Sequence, residues 1–278
     1  IKADLSDHGS ITSAIRQSEP DEIYNLAAQS FVGASFQQPI LTADITGLGV
    51  LRVLEAVKEN APDAKFYQAS SSEMYGDYPG EKNDDSPFIP RSPYGAAKVF
   101  GHHITNHYRE AYNIFACCGI LFNHESPLRG LEFVTRKITS TLARIKYKKT
   151  NVLKLGNINA RRDWGFAGDY VEAMWLMLQQ KNPNNYIIST GESHSVKEFL
   201  TLATEFSDLG DWHDFVQIDE SAMRPTDIED LTGNSIKAQK QLGWKPKTSF
   251  KNLVKMMVDH DIEFEKLHVD PFEFNHKT

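Results

Sequence analysis

Two of the ten tyrosines are followed four positions later by a lysine, Tyr78 by Lys82 and Tyr94 by Lys98. In the first pair Pro79 and Gly80 interrupt any helix between them. The second, Tyr94-Gly-Ala-Ala-Lys98, follows Pro90 and Pro93 and opens a helical stretch, so both side chains share one helix face. An ammonium there draws a phenol below its ordinary pKa of ~10, which makes Tyr94 a candidate general base. About two dozen residues upstream, Gln68-Ala-Ser-Ser-Ser-Glu73 offers hydroxyls at 70, 71 and 72 and a carboxylate at 73. Taken alone, Tyr-x-x-x-Lys is a weak signal, and a serine run serves equally as a turn or helix cap.

These residues need elements that hold them together. Lys65–Ala69 reads as a strand, Tyr94–Ala111 as a helix and Ile114–Phe122 as a buried strand. Before them come a helix from Ser6, as candidate cap, to Ser18, a short strand Glu22–Leu26, and a helix Thr42–Asn60. That helix has Ile45, Leu48, Leu51, Leu54 and Val57 spaced by three. Strand and helix alternating three times predict an α/β fold with a doubly wound parallel sheet. Ligands of such sheets bind beyond the carboxyl ends of the strands, where Gln68–Glu73 falls. Further helices are expected at Phe133–Lys148, Asp169–Gln180, Val196–Phe206, Ser235–Leu242 and Phe250–Glu265, with strands at Val152–Leu155, Tyr186–Ser189 and Phe215–Ile218. We therefore expect a first domain over 1–125, to which 163–191 returns, and a smaller α/β lobe over most of 126–278. Met174, Trp175, Met177 and Leu178 read as core.

The chain carries a formal charge of −7, yet residues 126–162 hold ten Lys and Arg against one acid, Glu132. A basic island in an acidic protein suits a small polyanion better than a nucleic acid, which meets a broad basic face. For Lys146, Lys148 and Lys149 a solvated helix face is an equal reading. No apolar run nears the ~20 residues that cross a bilayer, and the first residues lack a signal-peptide pattern, so no membrane and a cytoplasmic location are expected. The two cysteines, Cys117 and Cys118, are adjacent in a strand that points them to opposite faces, which suits a reducing compartment. His102, His103 and His107 include an i,i+4 pair able to hold a metal, but no third ligand of fixed spacing follows. A solvated or interface face is expected, and no metal.

Several motifs together carry a resemblance that spans nearly the whole chain: Asn25-Leu-Ala-Ala-Gln-Ser30, Ser71-Ser-Glu73, Tyr94-x-x-x-Lys98, Leu121-Phe-Asn-His-Glu-Ser-Pro127, Phe133-Val-Thr-Arg-Lys-Ile138, Arg162-Asp-Trp-Gly165, Arg224-Pro225 and Leu242-Gly-Trp-Lys-Pro246. The chain resembles the GDP-mannose 4,6-dehydratases, of the extended short-chain dehydrogenase/reductase family. Asn-His-Glu-Ser-Pro with Thr-Arg-Lys-Ile is the specific part. The resemblance implies a Rossmann-like sheet, NADP as cofactor, GDP-mannose as substrate and an internal redox cycle on the sugar. It makes Ser71, Glu73, Tyr94 and Lys98 catalytic, with Tyr94 as base at carbon 4 and Glu73 at carbon 5. It puts Asp4, Leu5, Ala27, Ala28 and Gln29, with Tyr94 and Lys98, around the cofactor. Ser72, Asn123, Val134, Lys137, Asn157, Arg162 and Arg224 would hold the sugar nucleotide. Glu125 falls in the cofactor-side motif. It also implies a homodimer or homotetramer that pairs the Thr42–Asn60 and Tyr94–Ala111 helices.

Where the family usually has Thr at 71, His at 31 and 166 and Arg at 128, this chain has Ser71, Phe31, Phe166 and Leu128. Ser71 keeps the hydroxyl. The Gly-rich turn that cradles a cofactor pyrophosphate is not among the 278 residues, and the first residue is Ile, so a longer reading frame is expected. Another nucleotide-sugar epimerase or dehydratase, or a sugar-nucleotide-binding module without catalysis, are the alternatives.

Overall fold

The computed structural model describes residues 1–220 and 223–267, so the last part of the expected second lobe, 268–278, lies outside the described residues. The first half contains α1 (His8–Ser18), β1 (Glu22–Asn25), α2 (Val32–Gln37), α3 (Pro39–Thr42), a π-helical segment (Ala43–Leu48), α4 (Gly49–Asn60), β2 (Lys65–Ser71), a 3-10 turn (Ser72–Met74), α5 (Pro93–Tyr112), β3 (Ala116–Leu121) and β4 (Asn123–Glu125). Then follow α6 (Val134–Lys146), β5 (Leu153–Leu155), β6 (Arg161–Arg162), β7 (Trp164–Phe166), α7 (Ala167–Leu178), β8 (Asn185–Ile188), β9 (His194–Ser195), α8 (Val196–Phe206), a second 3-10 turn (Trp212–Asp214), β10 (Val216–Ile218), β11 (Asp230–Leu231), α9 (Ile236–Leu242) and α10 (Phe250–Lys266).

Strands β1, β2, β3 and β8 make one parallel sheet in that spatial order. All six residues of β3 are buried, as a strand covered on both faces requires. Alternation sends Phe66 and Ala116 to the face packed by α1, α4 and α5, and Tyr67 and Cys117 to the face packed by α7. The cysteines follow the same rule: Cys117 Sγ lies 3.6 Å from Met177 O on α7, Cys118 Sγ 3.9 Å from His102 O on α5, and both thiols are free.

Outside this sheet the chain forms short strand pairs. β10 runs parallel to β5, β6 lies between β11 and antiparallel β9, and β4 pairs with β7. Helices α6, α8 and α10 close on a second core of Leu142, Trp164, Phe199, Leu253 and Met257. Two-residue strands show no period, which is why β6, β9 and β11 are not legible in the sequence.

Several expectations are corrected. Asp7, not Ser6, caps α1, accepting from Gly9 N at 3.0 Å, while Ser6 donates to Asp4. The Thr42–Asn60 helix exists but widens to π geometry over Ala43–Leu48, which lets Thr46 Oγ1 accept the Gln29 amide at 3.1 Å. Met174, Met177 and Leu178 are core, but Trp175 is 53% exposed. His103 and His107 are exposed, whereas His102 is buried against the sheet instead of lying on a solvated or interface face. Among the described residues no helix is long and apolar enough to cross a membrane.

Candidate active site

The catalytic candidates meet at the carboxyl end of β2. Its last residue, Ser71, caps the 3-10 turn by accepting the Glu73 amide at 3.2 Å, so the turn-or-cap reading of the serine run holds as well. The turn faces the start of α5. Ser92 caps that helix through the Gly95 amide at 3.0 Å and Pro93 occupies its first turn. Gly95 is a requirement of close approach: a Cβ there would sit 2.8 Å from the Glu73 carbonyl oxygen. A side chain at 95 would push Tyr94 away from the turn.

Tyr94, Lys98 and Glu73 are all buried. Lys98 Nζ donates to Ala69 O at 2.7 Å and stands 5.7 Å from the Tyr94 ring centre. Burial lowers Lys98 to about 8. Tyr94 differs from the sequence expectation. Burial pushes its phenol up to about 12, and the opposing hydrogen bond with Ser71 and the charge of Arg129 do not outweigh burial and the Glu73 carboxylate. The fold therefore holds Tyr94 as a neutral phenol, and a phenolate forms only with added stabilisation.

Beside this cluster lies a cavity of about 530 Å³. Asn123, Val134, Lys137, Asn157, Arg162 and Arg224 all line it, brought from β4, α6, β6 and two loops. Ser72 is buried in the turn and is not on the cavity wall. Arg224 joins the two regions, since its guanidinium lines the cavity and reaches Glu73 Oε1 at 3.4 Å. Arg162 is buried and largely satisfied, donating to the Arg161 and Ile228 carbonyls at 2.8 and 2.7 Å and pairing with Asp227 at 2.9 Å. Lys137 has no ion-pair partner among the described residues and is a free cation on the wall.

The basic island divides accordingly. Arg129, Lys137 and Arg162 reach the cavity. Lys146 instead pairs with Asp208, Lys149 with Glu265, Arg161 with Glu198 and Arg136 with Asp261. The sequence reading missed Thr135 and the short helix α2, whose Phe36 and Gln37 line the cavity. Glu125, assigned by its motif to the cofactor side, lines this same cavity. Glu125 is buried, accepts from Thr135 Oγ1 at 2.6 Å and lies 3.3 Å from Arg129; burial raises its pKa. Of the family departures, Phe31 packs edge-on against Phe133 on the cavity wall, and Leu128 is 89% exposed.

The proposed cofactor residues are more scattered. Ala27, Ala28 and Gln29 follow the end of β1, where Gln29 is tied by Thr42 and Thr46 and spans to Phe31 O at 3.0 Å. Asp4 and Leu5 lie before α1. Asp4 holds Ser6, and the Leu5 carbonyl accepts from Arg52 at 3.0 Å. Among the described residues, no group of three or more His, Cys, Asp or Glu side chains is placed to hold a metal.

A family model for GDP-mannose 4,6 dehydratase matches residues 1–257. GDP-mannose 4,6 dehydratase 1 of Arabidopsis thaliana is 55% identical over 267 residues, covering 95% of this chain and 74% of the relative. The Homo sapiens GDP-mannose 4,6 dehydratase is 46% identical, covering 94% and 75%. Among solved structures, RMD from Pseudomonas aeruginosa complexed with NADPH superposes with a TM-score of 0.85 at 22% identity, over 95% of this chain and 88% of that one. The Thermus thermophilus UDP-glucose 4-epimerase complex with NAD gives 0.83 at 26%, over 93% and 83%. The sheet is thus of the Rossmann-like, doubly wound kind, and the chain belongs to the GDP-mannose 4,6-dehydratase family.

Proposed function

We propose that the chain forms the catalytic and substrate-binding part of an NADP-dependent lyase that converts GDP-mannose to GDP-4-keto-6-deoxy-mannose. The observation that carries this reading is Arg224. One side chain both lines a cavity of nucleotide-sugar size and touches the carboxylate suited to remove a proton from the sugar. A nicotinamide cofactor fits the residues present. Lys98 is buried with the Ala69 carbonyl as its one hydrogen-bond acceptor among the described residues, so two of its three N–H donors have no protein acceptor. NADP, when bound, supplies a hydride acceptor at carbon 4 of the sugar and a hydride donor at carbon 6.

The chain's own residues move the protons. Tyr94 takes the carbon-4 hydroxyl proton once ligand charge offsets the burial of its phenol, with the Ser71 hydroxyl lowering its pKa and Lys98, a cation below about pH 8, one turn along the same helix face. The resulting ketone acidifies the proton at carbon 5. Glu73 accepts that proton and delivers it to the departing carbon-6 hydroxyl, releasing water; a proton from solvent then returns to carbon 5. Lys137 and Arg224 meet the diphosphate, Asn123 and Val134 the sugar, and Asn157 the nucleoside side. Arg162 supports Asp227 and Arg224 from behind. Ala27, Ala28 and Gln29 border the cofactor, with Asp4 and Leu5 at its far end. The exposed apolar side chains Ile40, Leu41 and Leu48, on the helical segments packed against α5, and Phe100 on α5 itself support self-association into a homodimer or homotetramer.

Incubating the NADP-loaded protein with GDP-mannose and weighing the nucleotide sugar tests the reading. A product lighter by one water, with no net NADPH formed, is expected. A product of unchanged mass would indicate an epimerase, and unaltered, tightly bound GDP-mannose a binding module.

A further inference from the structure

Helix α5 presents Tyr94, Lys98 and His102 at i, i+4 and i+8, one above another on a single face. They engage three consecutive residues at the end of β2. The Ser71 hydroxyl is near enough to Tyr94 to lower the pKa of its phenol, Lys98 donates to Ala69 O at 2.7 Å, and His102 Nδ1 lies 3.0 Å from Ser70 Oγ. The first two rungs belong to the proposed chemistry. The third does not, since His102 is 4% exposed and does not line the cavity.

The proton on His102 can be placed. Arg109 donates to Asn185 Oδ1 at 2.5 Å, which fixes that amide with its Nδ2 toward His102 Nε2 at 3.5 Å and Asn106 Oδ1 at 3.0 Å. Nε2 therefore accepts and Nδ1–H donates to Ser70. Burial, with His103 and Arg109 nearby, drives His102 down to about 3, so the ring is neutral. Among the described residues, the titratable and charged groups facing it are His103 and Arg109 of α5 and Cys118 of β3, with no carboxylate, while Asn185 of β8 and the Phe88 ring from the loop before α5 close the site.

We infer that His102 is a positioning residue for Tyr94, a neutral imidazole that sets the register of α5 on β2 through Ser70 and so aims the phenol at Ser71. This rests on the catalytic reading of Tyr94. A small misplacement of a reacting group is costly, so His102→Leu is expected to lower kcat about ten- to a hundred-fold while KM for GDP-mannose, set by residues elsewhere, stays within about two-fold. His102→Asn, whose amide can occupy the Nδ1 position, should recover kcat to within about three-fold of wild type. Ser70→Ala removes the same link, so Ser70→Ala/His102→Leu should be no worse than His102→Leu alone.

Rates are expressed per folded, NADP-loaded protein, and Tyr94→Phe is measured alongside. Independently of turnover, ¹⁵N–¹H imidazole spectra should show His102 as a neutral Nδ1–H tautomer unchanged between about pH 5 and 8. A folded His102→Leu with wild-type kcat beside an inactive Tyr94→Phe overturns the positioning role and leaves the catalytic reading standing. So does a charged or Nε2–H imidazole. An active Tyr94→Phe overturns the catalytic reading itself.

Discussion

Buried charge is treated in opposite ways among the short strands and helices around α6 and at the carboxyl end of the main sheet. On α6, Arg136 pairs with Asp261 at 2.7 Å, the same carboxylate accepts from Thr139 Oγ1 at 2.6 Å, and the guanidinium also donates to the Pro127 and Arg129 carbonyls. The guanidinium and the carboxylate each have several partners, and the network ties α6 to α10 and to the loop after β4. At the sheet edge Lys98 is as deeply buried, yet one carbonyl is all the described protein offers it. The first arrangement is what a scaffold needs. The second lowers stability and makes physical sense when a ligand supplies the remaining acceptors.

Removing one partner of each arrangement should therefore act with opposite sign. Arg136→Ala strands Asp261 in the interior and should destabilise by about 3–5 kcal/mol, read as a lower urea midpoint. An effect below about 1 kcal/mol would mean that water reaches the pair and the contrast is false.

Lys98→Met removes a group held at about 8 in the fold against 10.5 in a free chain. That difference corresponds to about 3 kcal/mol, less about 1 kcal/mol for the lost hydrogen bond to Ala69, so the variant should gain up to about 2 kcal/mol in stability while losing turnover. The unfolded chain holds this proton more tightly than the native one. The Lys98 penalty is hence complete below about pH 8 and is relieved as the pH rises from about 8 toward 10.5. Urea midpoints of wild type and Lys98→Met should converge over that window. A gap that widens with pH would reverse the assignment.

The sequence made one of these two regions readable and left the other obscure. Tyr94, Lys98, Ser71 and Glu73 sit within thirty residues on long periodic elements, so spacing and the strand-end rule brought them together. The cavity is assembled from α6, the short elements α2, β4 and β6, and loops, most of them too short to show a period, and there only the density of positive charge and the family motifs marked Lys137, Arg162 and Arg224. Neither signal distinguishes an arginine facing a ligand from one facing a carboxylate. Arg136, Arg161 and Arg162 look alike in the sequence, and the acids that claim them, Asp261, Glu198 and Asp227, lie far along the chain. Nor could the spacing of Tyr94 and Lys98 reveal that burial would raise the phenol to about 12.

Arg224, partly exposed and loosely held at 3.4 Å from Glu73, stands between the two extremes. Arg224→Gln should weaken GDP-mannose binding by about 1.5–3 kcal/mol, roughly ten- to a hundred-fold, with little change in folding stability. Calorimetric titration with GDP-mannose and, separately, with NADP checks this. An equal loss for both ligands would move Arg224 to the cofactor side.

The central claim is that the carboxylate at the end of β2 is the base that makes this site a dehydratase. The most direct measurement is solvent deuterium entering carbon 5 of the sugar during turnover by NADP-loaded Glu73→Gln in heavy water, followed by mass spectrometry. Oxidation at carbon 4 should persist, because Tyr94 is untouched. Deuterium incorporation and product release should fall by about 10²–10⁴-fold, since an amide cannot accept the proton. Incorporation and product at the wild-type rate would show that another group removes that proton, and the assignment of Glu73 would be wrong.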